Sequence, residues 1–303
     1  MKAPDHGASI GFLLHFRESL ESATLAKARE IAEAAQLRTW VAQAEAESVL
    51  ARELRSARLL VAIGGDGTLL YAAKRAAPRG VPLLGVNRGQ LGFLTTVEMA
   101  QLPEAIESFV KDRVQLEHRR TLRGEVRERV AGGVRAGVEV AVNEIVVKSE
   151  AVNLVRLEVT CDDQLVGVFD SDGMVVATSV GSTAYSLSAG GPPVDSRVPA
   201  TVLTPLNPHA LISRSLVIPD TLDVRIVVRR GRALAAADGE VWGQLETGAE
   251  LTVKRGPDLS LARPPGNPGF FHRLRSKTGF GVVLKLAPEE GETAALAPDA
   301  SHP

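Results

Sequence analysis

The chain has 303 residues, of which 45% are hydrophobic and 23% charged, and its formal net charge is -1. These values are typical of a globular protein of about two domains, and they argue against nucleic acid or a membrane as the main partner. Cys161 is the single cysteine, which excludes an intramolecular disulfide and leads us to expect a cytoplasmic protein.

Strand and helix signals alternate through the first third of the chain. In chain order they predict strands at 10–16, 59–63 and 81–86 and helices at 24–37, 47–57, 68–77 and 101–111. Such alternation is typical of a parallel sheet with helices on both faces. Residues 1–113 are therefore predicted to form an α/β, Rossmann-like domain.

The pattern changes at about residue 114, where short β-branched runs separated by Gly, Asp and Pro begin. Strands are predicted at 138–142, 145–148, 154–159, 174–178, 222–229, 232–236 and 250–254, with one short helix at 182–189. Residues 114–269 are therefore predicted to form a β-rich, β-sandwich-like domain. Segment 270–287 is predicted to return to the first domain with a helix at 270–277, and residues 288–303 are predicted to be disordered.

The most informative stretch is Gly64-Gly65-Asp66-Gly67-Thr68, which directly follows the strand at 59–63. Its three glycines allow backbone N–H groups to approach a phosphate without obstruction by a Cβ atom. Asp66 follows the carboxyl end of the strand, where open α/β sheets bind their ligands. The loop matches neither a Walker A loop nor the dinucleotide fingerprint. It predicts phosphoryl transfer, and the alternative is a tight turn with Asp66 as a helix cap.

Two further clusters contain amides beside charged groups. Asn87 opens the run Asn-Arg-Gly-Gln-Leu-Gly-Phe-Leu at 87–94, which follows a strand and is predicted to share the sheet edge of Asp66. Arg88 in this run is either a phosphate ligand or a solvated cation. Asn143-Glu144 sets a donor beside an acceptor, which suits a ribose diol or an exocyclic amine, although such a pair is also common in ordinary turns.

The remaining clusters are rich in small and hydroxyl residues. In the run at 181–192, Ser182 and Thr183 are predicted to cap a short helix whose N-terminus favours an anion, and Tyr185 is predicted to bound a flat base. The run at 206–211 is predicted to be a structural turn. The six histidines are scattered and give no metal-ligand spacing, so any metal is expected to be Mg²⁺ or Mn²⁺ that arrives with phosphates.

Together these clusters resemble the NAD kinase family, which phosphorylates the adenosine ribose of NAD to make NADP. The resemblance rests on Gly-Gly-Asp-Gly-Thr at 64–68, the run at 87–94, Asn-Glu at 143–144, the segment at 181–192 and Pro-His-Ala-Leu at 208–211. It extends from about residue 59 to 218 and continues weakly to 280. The family's architecture, an N-terminal α/β domain followed by a C-terminal β-sandwich-like domain, agrees with the pattern described above.

The resemblance implies roles for individual residues. Asp66 would orient and deprotonate the acceptor 2′-hydroxyl, and it is the implied catalytic residue. The residues implied in NAD binding are Asp66, Gly67, Lys74, Asn143, Glu144, Asn153, Asp170, Asp172, Thr183, Ala184, Tyr185, Ser186, Leu187, Ser188 and Glu240. The implied phosphate or ATP loop consists of Gly64, Gly65, Gly67, Thr68 and Asn87. A divalent metal would come with ATP, no protein metal ligand is implied, and the family's members form homodimers or homotetramers.

Three positions depart from the residues common in the family. Asp170 stands where some relatives carry Arg, Glu240 where many carry an amide, and Asn153 where a larger ring is common. Two other functions remain open at this point: a kinase of a lipid or sugar that uses the same glycine loop, and a non-catalytic sensor that binds NAD. The first predicts an apolar acceptor pocket or an Arg cluster, and the second has no need of Asp66.

Overall fold

A computed structural model describes residues 7–15, 22–44, 46–87, 95, 97–130, 133–210, 213–266 and 269–281. The predictions for 88–94, including Arg88, and for the disordered tail at 288–303 lie outside these residues. Among the described residues, no helix combines the length and the apolar character that crossing a membrane requires.

Six helices and nineteen strands are assigned within the described ranges. The helices are α1 (Ala23–Ala34), α2 (Glu47–Glu53), α3 (Asp66–Ala76), α4 (Leu102–Val110), α5 (Tyr185–Ser188) and α6 (Phe270–Thr278). The strands are β1 (Ser9–Leu14), β2 (Arg38–Gln43), β3 (Ala57–Ile63), β4 (Leu83–Asn87), β5 (Val97–Glu98), β6 (Gln115–Arg119), β7 (Leu122–Val130), β8 (Gly133–Ala141), β9 (Glu144–Ser149), β10 (Val155–Cys161), β11 (Gln164–Ser171), β12 (Gly173–Thr178), β13 (Ala200–Leu206), β14 (Leu216–Pro219), β15 (Val224–Arg230), β16 (Ala233–Ala237), β17 (Glu240–Leu245), β18 (Glu250–Arg255) and β19 (Leu259–Arg263).

The first sheet has seven strands in the order β2-β1-β3-β4-β19-β6, and β5 pairs with β4. Strands β1 to β4 are parallel, whereas β6 runs antiparallel to β19. Successive side chains of a strand face opposite sides of the sheet. In β1, Phe12 packs with Ala28 of α1 and Ile106 of α4, and Leu13 packs with Leu50 of α2 and Leu69 of α3. Helices therefore cover both faces, and the predicted Rossmann-like α/β architecture is confirmed.

Two antiparallel six-stranded sheets form the second unit, in the orders β11-β10-β15-β18-β7-β8 and β14-β13-β12-β9-β16-β17. Alternate residues of β10, including Leu157 and Val159, point inward from the first of these sheets. They pack in one core with Met174, Val176 and Ala235 of the other. Two sheets with a shared apolar core form a sandwich, so the prediction of a β-rich second domain is confirmed.

The structure differs from the sequence-based elements at several places. Helix α3 begins at Asp66 and not at Thr68. Strands β6 and β19 lie within 114–269 in the sequence and yet pair with the first sheet. The short polar strand β6 carries no apolar run that would reveal it. The proposed division of the chain at 113/114 and 269/270 stays a prediction.

Candidate active site

The glycine loop joins β3 to α3 at the carboxyl edge of the first sheet. Gly65 is the N-cap of α3 and Asp66 is its first residue, with its side chain exposed. The cap role considered for Asp66 is therefore filled by Gly65, and no side chain bonds to the cap. An acidic residue in the first turn of a helix is stabilised by the helix dipole, as is any anion held there. The loop thus presents a carboxylate and free N–H groups at one point.

The electrostatic surroundings of Asp66 come from two elements. Although Asp66 is exposed to solvent, neighbouring protein atoms displace part of the water around its carboxyl group, which raises the pKa of Asp66, while the positive charge of Lys277 opposes that rise. Lys277 lies on α6, so the C-terminal helix brings a cation to the glycine loop. The same helix packs beside the 181–183 turn, because Phe270 and Arg273 line a small cavity together with Thr183.

Asn87 ends β4 next to this loop. The backbone N–H of Gly64 donates to the carbonyl of Val86 at 3.0 Å, and Asn87 is 3% exposed. The parallel strands β3 and β4 therefore end side by side, as the sequence predicts. The role of Asn87 toward phosphate stays a prediction.

Asn143 and Glu144 lie where β8 passes into β9. The N–H of Thr178 donates to the Asn143 carbonyl at 2.8 Å, which ties this junction to the end of β12. Glu144 is 7% exposed, and its Oε2 atom has no hydrogen-bond partner among the residues that the structure describes. Burial, together with the negative charge of Asp238, raises the pKa of Glu144 to about 7, and a hydrogen bond from the Tyr185 backbone opposes this. A buried carboxylate with an unused oxygen is suited to accept a hydrogen bond from a ligand.

The packing of α3 brings Asp66 and the 143–144 junction to one cleft. Leu69 and Ala73 of α3 share an apolar cluster with Val142 and Val180. Val142 directly precedes Asn143, and Val180 directly precedes the turn at 181–183. The glycine loop, the amide–carboxylate pair and the 181–188 segment therefore meet along one helix.

The segment at 181–188 consists of a 3-10 turn, Gly181–Thr183, and the short helix α5. Ser182 and Thr183 do not cap α5 as expected: Ala184 is its N-cap, and the Ser182 hydroxyl bonds to the Ser179 carbonyl at 2.7 Å. Ser186 is buried and bonds to Thr204 at 2.9 Å. The other predicted residues of this segment are half-buried or exposed: Thr183, Ala184, Tyr185, Leu187 and Ser188. Their contacts with NAD stay predictions.

Lys74 and Glu240, both predicted to bind NAD, contact each other. The Lys74 side chain is buried, and its Nζ atom lies 3.0 Å from Glu240 Oε2 and 3.1 Å from the Ala237 carbonyl. Lys74 thus connects α3 with the turn between β16 and β17. Glu240 remains largely exposed despite this ion pair. The binding of NAD by Lys74 or Glu240 stays a prediction.

Three of the residues predicted to bind NAD lie far in space from the cleft of the same chain. Asp172 precedes β12 and accepts a hydrogen bond from Asn207 at 2.8 Å, while Asp170 pairs with Arg156. Asp172 and Glu144 lie at opposite ends of the paired strands β12 and β9, a separation of about 17 Å. Asn153 follows β9 at the Asp172 end. The structure therefore does not join these three with Asp66, and their roles stay predictions.

Two residues that the sequence analysis did not select also reach the cleft. Asp238 accepts backbone hydrogen bonds from residues 142–144, and the positive charge of Lys277 acts on the pKa of Asp66. An Asp-Gly pair at 238–239 is a visible turn signal, but no local pattern shows what its carboxylate contacts. Within the described ranges, no three His, Cys, Asp or Glu side chains gather as a metal site. Mg²⁺ commonly binds through substrate phosphates and one or two carboxylates, and Asp66 is the exposed carboxylate at this loop.

Comparisons with known proteins identify the family to which the chain is similar. Residues 6–114 match the ATP-NAD kinase N-terminal domain, and residues 142–261 match the ATP-NAD kinase C-terminal domain. The chain is 38% identical to the NAD kinase of Heliobacterium modesticaldum over 75% of this chain and 81% of that one. It is 37% identical to the NAD kinase of Moorella thermoacetica over 81% of this chain and 76% of that one.

Two solved structures share the fold. A yeast NADH kinase in complex with NADH superposes with a TM-score of 0.79 over 94% of this chain and 91% of that one. An NAD kinase from Archaeoglobus fulgidus in complex with ATP superposes with a TM-score of 0.66 over 89% of this chain and 97% of that one. Both are 22% identical, so these two likenesses concern architecture. The domain matches and the closer relatives, in agreement with the motifs at 64–68 and 143–144, show that the chain belongs to the NAD kinase family.

Proposed function

We propose that this protein is an NAD kinase, which transfers the γ-phosphoryl group of ATP to the 2′-hydroxyl of the adenosine ribose of NAD. The observation that carries the proposal is the exposed carboxylate of Asp66 at the first turn of α3, with the Asn143–Glu144 junction packed against the same helix. An acceptor held by an amide and a carboxylate would have its hydroxyl within reach of a second, exposed carboxylate.

In the proposed reaction, Asp66 aligns the hydroxyl and takes its proton. The 2′-oxygen attacks the γ-phosphorus in line, the bond from that phosphorus to the β–γ bridging oxygen breaks, and ADP leaves with the electron pair. Phosphoryl transfer depends mainly on placement and charge neutralisation. An aspartate is a weak base, but its proton is transferred as the hydroxyl acidifies during bond formation. The raised pKa of Asp66 makes the carboxylate a better proton acceptor.

The donor side is proposed to consist of Gly64, Gly65, Gly67, Thr68 and Asn87. Backbone N–H groups at the start of α3 have no partner within the helix, so they are available to phosphate oxygens. A divalent cation, Mg²⁺ or Mn²⁺, is proposed to come bound to ATP and to neutralise charge on the triphosphate. Lys277 adds a positive charge on the same side of the cleft.

The remaining proposals concern the setting of the enzyme. We propose a cytoplasmic protein, in agreement with its single, buried cysteine. We also propose a homodimer or homotetramer. Strands β11 and β14 end their sheets on the same side of the sandwich and expose apolar side chains, among them Leu165, Val168, Leu216 and Val217. Light scattering on purified protein tests this, and a monomeric mass at micromolar concentration would contradict it.

The function is tested by incubating purified protein with NAD, ATP and Mg²⁺ and then assaying NADP with an NADP-specific dehydrogenase. We expect NADP and ADP to form in equal amounts. A parallel reaction offers lipid and sugar acceptors in place of NAD. NADP formation supports the proposal, whereas phosphorylation of a lipid or sugar without NADP would assign the chain to another acceptor. Tight binding of NAD without any phosphoryl transfer would make it a sensor.

A further inference from the structure

The turn between β16 and β17 contains a carboxylate that holds the backbone of residues 142–144. This segment, the acceptor-binding junction, includes the proposed NAD-binding pair Asn143–Glu144. Asp238 accepts hydrogen bonds from the N–H groups of Val142 at 2.8 Å, Asn143 at 2.7 Å and Glu144 at 3.2 Å. Its own N–H donates to the Glu144 carbonyl at 3.0 Å. Four hydrogen bonds thus connect one residue of the turn with three consecutive residues of the junction, across more than ninety positions in sequence.

The geometry of this turn requires its two central residues. Asp238 has φ of 50° and Gly239 has φ of 86°, so both adopt the left-handed conformation. An Asp-Gly pair with positive φ at both positions is characteristic of a tight hairpin turn of type I′. The turn therefore fixes the position of the Asp238 backbone, because β16 and β17 are paired on either side of it, and the hydrogen bonds from residues 142–144 hold its carboxylate in place.

The other side of the same turn is held by the helix of the glycine loop. Lys74 donates to the carbonyl of Ala237 and pairs with Glu240, the residues that flank Asp238-Gly239. Lys74 lies about two helical turns after Asp66 on α3. Since a helix is a stiff element, any shift of the turn relative to Lys74 is also a shift relative to Asp66.

We infer that Asp238 is a positioning residue that sets the distance between the acceptor-binding pair Asn143–Glu144 and the catalytic carboxylate of Asp66. The inference rests on the proposed function. Asp238 would not touch NAD: it fixes the backbone that carries the two NAD-binding side chains, while Lys74 connects the same turn to α3. Charge-assisted hydrogen bonds to backbone N–H groups are stronger and more directional than neutral ones, which suits such a role.

An alternative explanation is that Asp238 serves only to stabilise the fold. Without the carboxylate, three successive N–H groups at 142–144 would lose a partner, and buried polar groups without partners are costly. A purely stabilising role predicts a lower midpoint of unfolding with unchanged kinetics at temperatures where the protein stays folded. A positioning role predicts a kinetic defect in the fully folded enzyme, because misplacement by about 1 Å can cost roughly a hundredfold in rate.

The experiment compares Asp238→Asn and Asp238→Ala with the wild type and with Asp162→Asn. Asp162 is a matched control: it lies in the β10–β11 hairpin with φ of 44°, and its carboxylate accepts the Asp223 N–H at 3.0 Å. All four proteins are assayed for NADP formation well below their unfolding midpoints. We measure kcat, the KM for NAD, the Kd for NAD and the Kd for ATP.

For Asp238→Ala we expect kcat/KM for NAD to fall by about a hundredfold, with both KM and kcat affected and the Kd for ATP within twofold of wild type. Asp238→Asn keeps one acceptor oxygen, so its kcat/KM for NAD should lie between those of Asp238→Ala and the wild type. Asp162→Asn should match the wild type in kinetics even if its unfolding midpoint drops. Wild-type kinetics in folded Asp238→Ala, or equal defects in Asp162→Asn, would overturn the inference. If Asp238→Ala does not fold, the kinetics of folded Asp238→Asn test the inference: wild-type kinetics in that variant would overturn it. Lack of NADP formation by the wild type would instead refute the proposed function.

Discussion

Gly181 lies against the backbone carbonyl of Asn143 so closely that a Cβ atom on Gly181 would stand 2.0 Å from the carbonyl oxygen. Only a residue without a side chain allows the 181–183 turn to touch the Asn143–Glu144 junction, which is proposed to bind the acceptor. The absence of a Cβ atom here therefore permits the approach of two elements of the cleft.

The first prediction follows from that contact. Gly181→Ala should force the turn and the junction apart, with a loss of about 1–3 kcal/mol in the free energy of unfolding and of most NADP formation. Urea unfolding and the coupled dehydrogenase assay measure the two effects. Gly7→Ala is the control, since Gly7 is exposed and no described residue has an atom within 4 Å of a Cβ atom there. A variant at 181 with the stability of the wild type would show that the backbone contact is not needed.

A second glycine variant should separate activity from stability. Among the residues that the structure describes, none has an atom within 4 Å of a Cβ atom on Gly67, so Gly67→Ala should leave the unfolding midpoint unchanged or slightly raised. The added methyl group would stand in the proposed path of the dinucleotide, so we expect the KM for NAD to rise. Thermal unfolding and initial rates test this together, and an unchanged KM would remove Gly67 from the binding site.

The third prediction concerns the proposed catalytic carboxylate. Asp66→Asn should reduce kcat by about 10²- to 10⁴-fold, because an amide cannot accept the hydroxyl proton. The side chain is exposed, so the fold and the Kd for NAD should be retained. Circular dichroism and calorimetric titration with NAD are the controls. Turnover like that of the wild type would exclude Asp66 from the mechanism.

The fourth prediction uses the pH dependence of stability. The pKa of Glu144 rises from 4.5 to about 7 on folding, so the folded state favours the protonated acid. The contribution of Glu144 to the free energy of unfolding should be largest below pH 4.5. That contribution is lost as the pH rises through 7. Its size is at most about 3 kcal/mol.

Glu144→Gln tests this directly, since the amide stays neutral at every pH. The variant should exceed the wild type in unfolding free energy at pH 8, and the difference should shrink as the pH falls toward 5. Denaturant unfolding at several pH values measures the difference, with Glu246→Gln on the exposed surface as control. A difference that does not vary with pH would contradict the raised pKa of Glu144.

The fifth prediction concerns the metal. Chelation by EDTA should abolish NADP formation, and excess Mg²⁺ or Mn²⁺ should restore it, because the cation is proposed to enter with ATP. The unfolding midpoint without ATP should not change on chelation. Full activity in EDTA would refute the need for a divalent cation.

The glycine loop and the strands β1, β3 and β4 are predictable from sequence for a local reason, whereas the edge strand β2 (Arg38–Gln43) is not predicted. Buried parallel strands such as 59–63 are continuous apolar runs, and the loop after them is marked by glycines. Residue types and the family resemblance identify Asn143–Glu144 and the 181–188 segment as candidate site residues, although the helix cap predicted at Ser182 and Thr183 is at Ala184. Short β-branched runs also predict that a β-rich second unit follows the α/β one, although the first strand after residue 114, β6, pairs with the first sheet.

Long-range contacts are a different matter. The pairing of β6 and β19 with the first sheet, the reach of Asp238 to residues 142–144 and the approach of Lys277 to Asp66 join positions far apart in sequence. The local sequence does not predict the separation of Asp170 and Asp172 from Asp66 either, because that separation depends on which end of β12 lies at the cleft.

The sequence by itself therefore determined the family, the two kinds of domain and the catalytic candidate, because residue type and spacing encode local chemistry. The tertiary structure alone decided how those pieces are held in register. Hydrogen bonds and packing between α3, the β16–β17 turn and the 142–144 junction form only after the chain has folded, and such contacts leave no periodicity in the sequence.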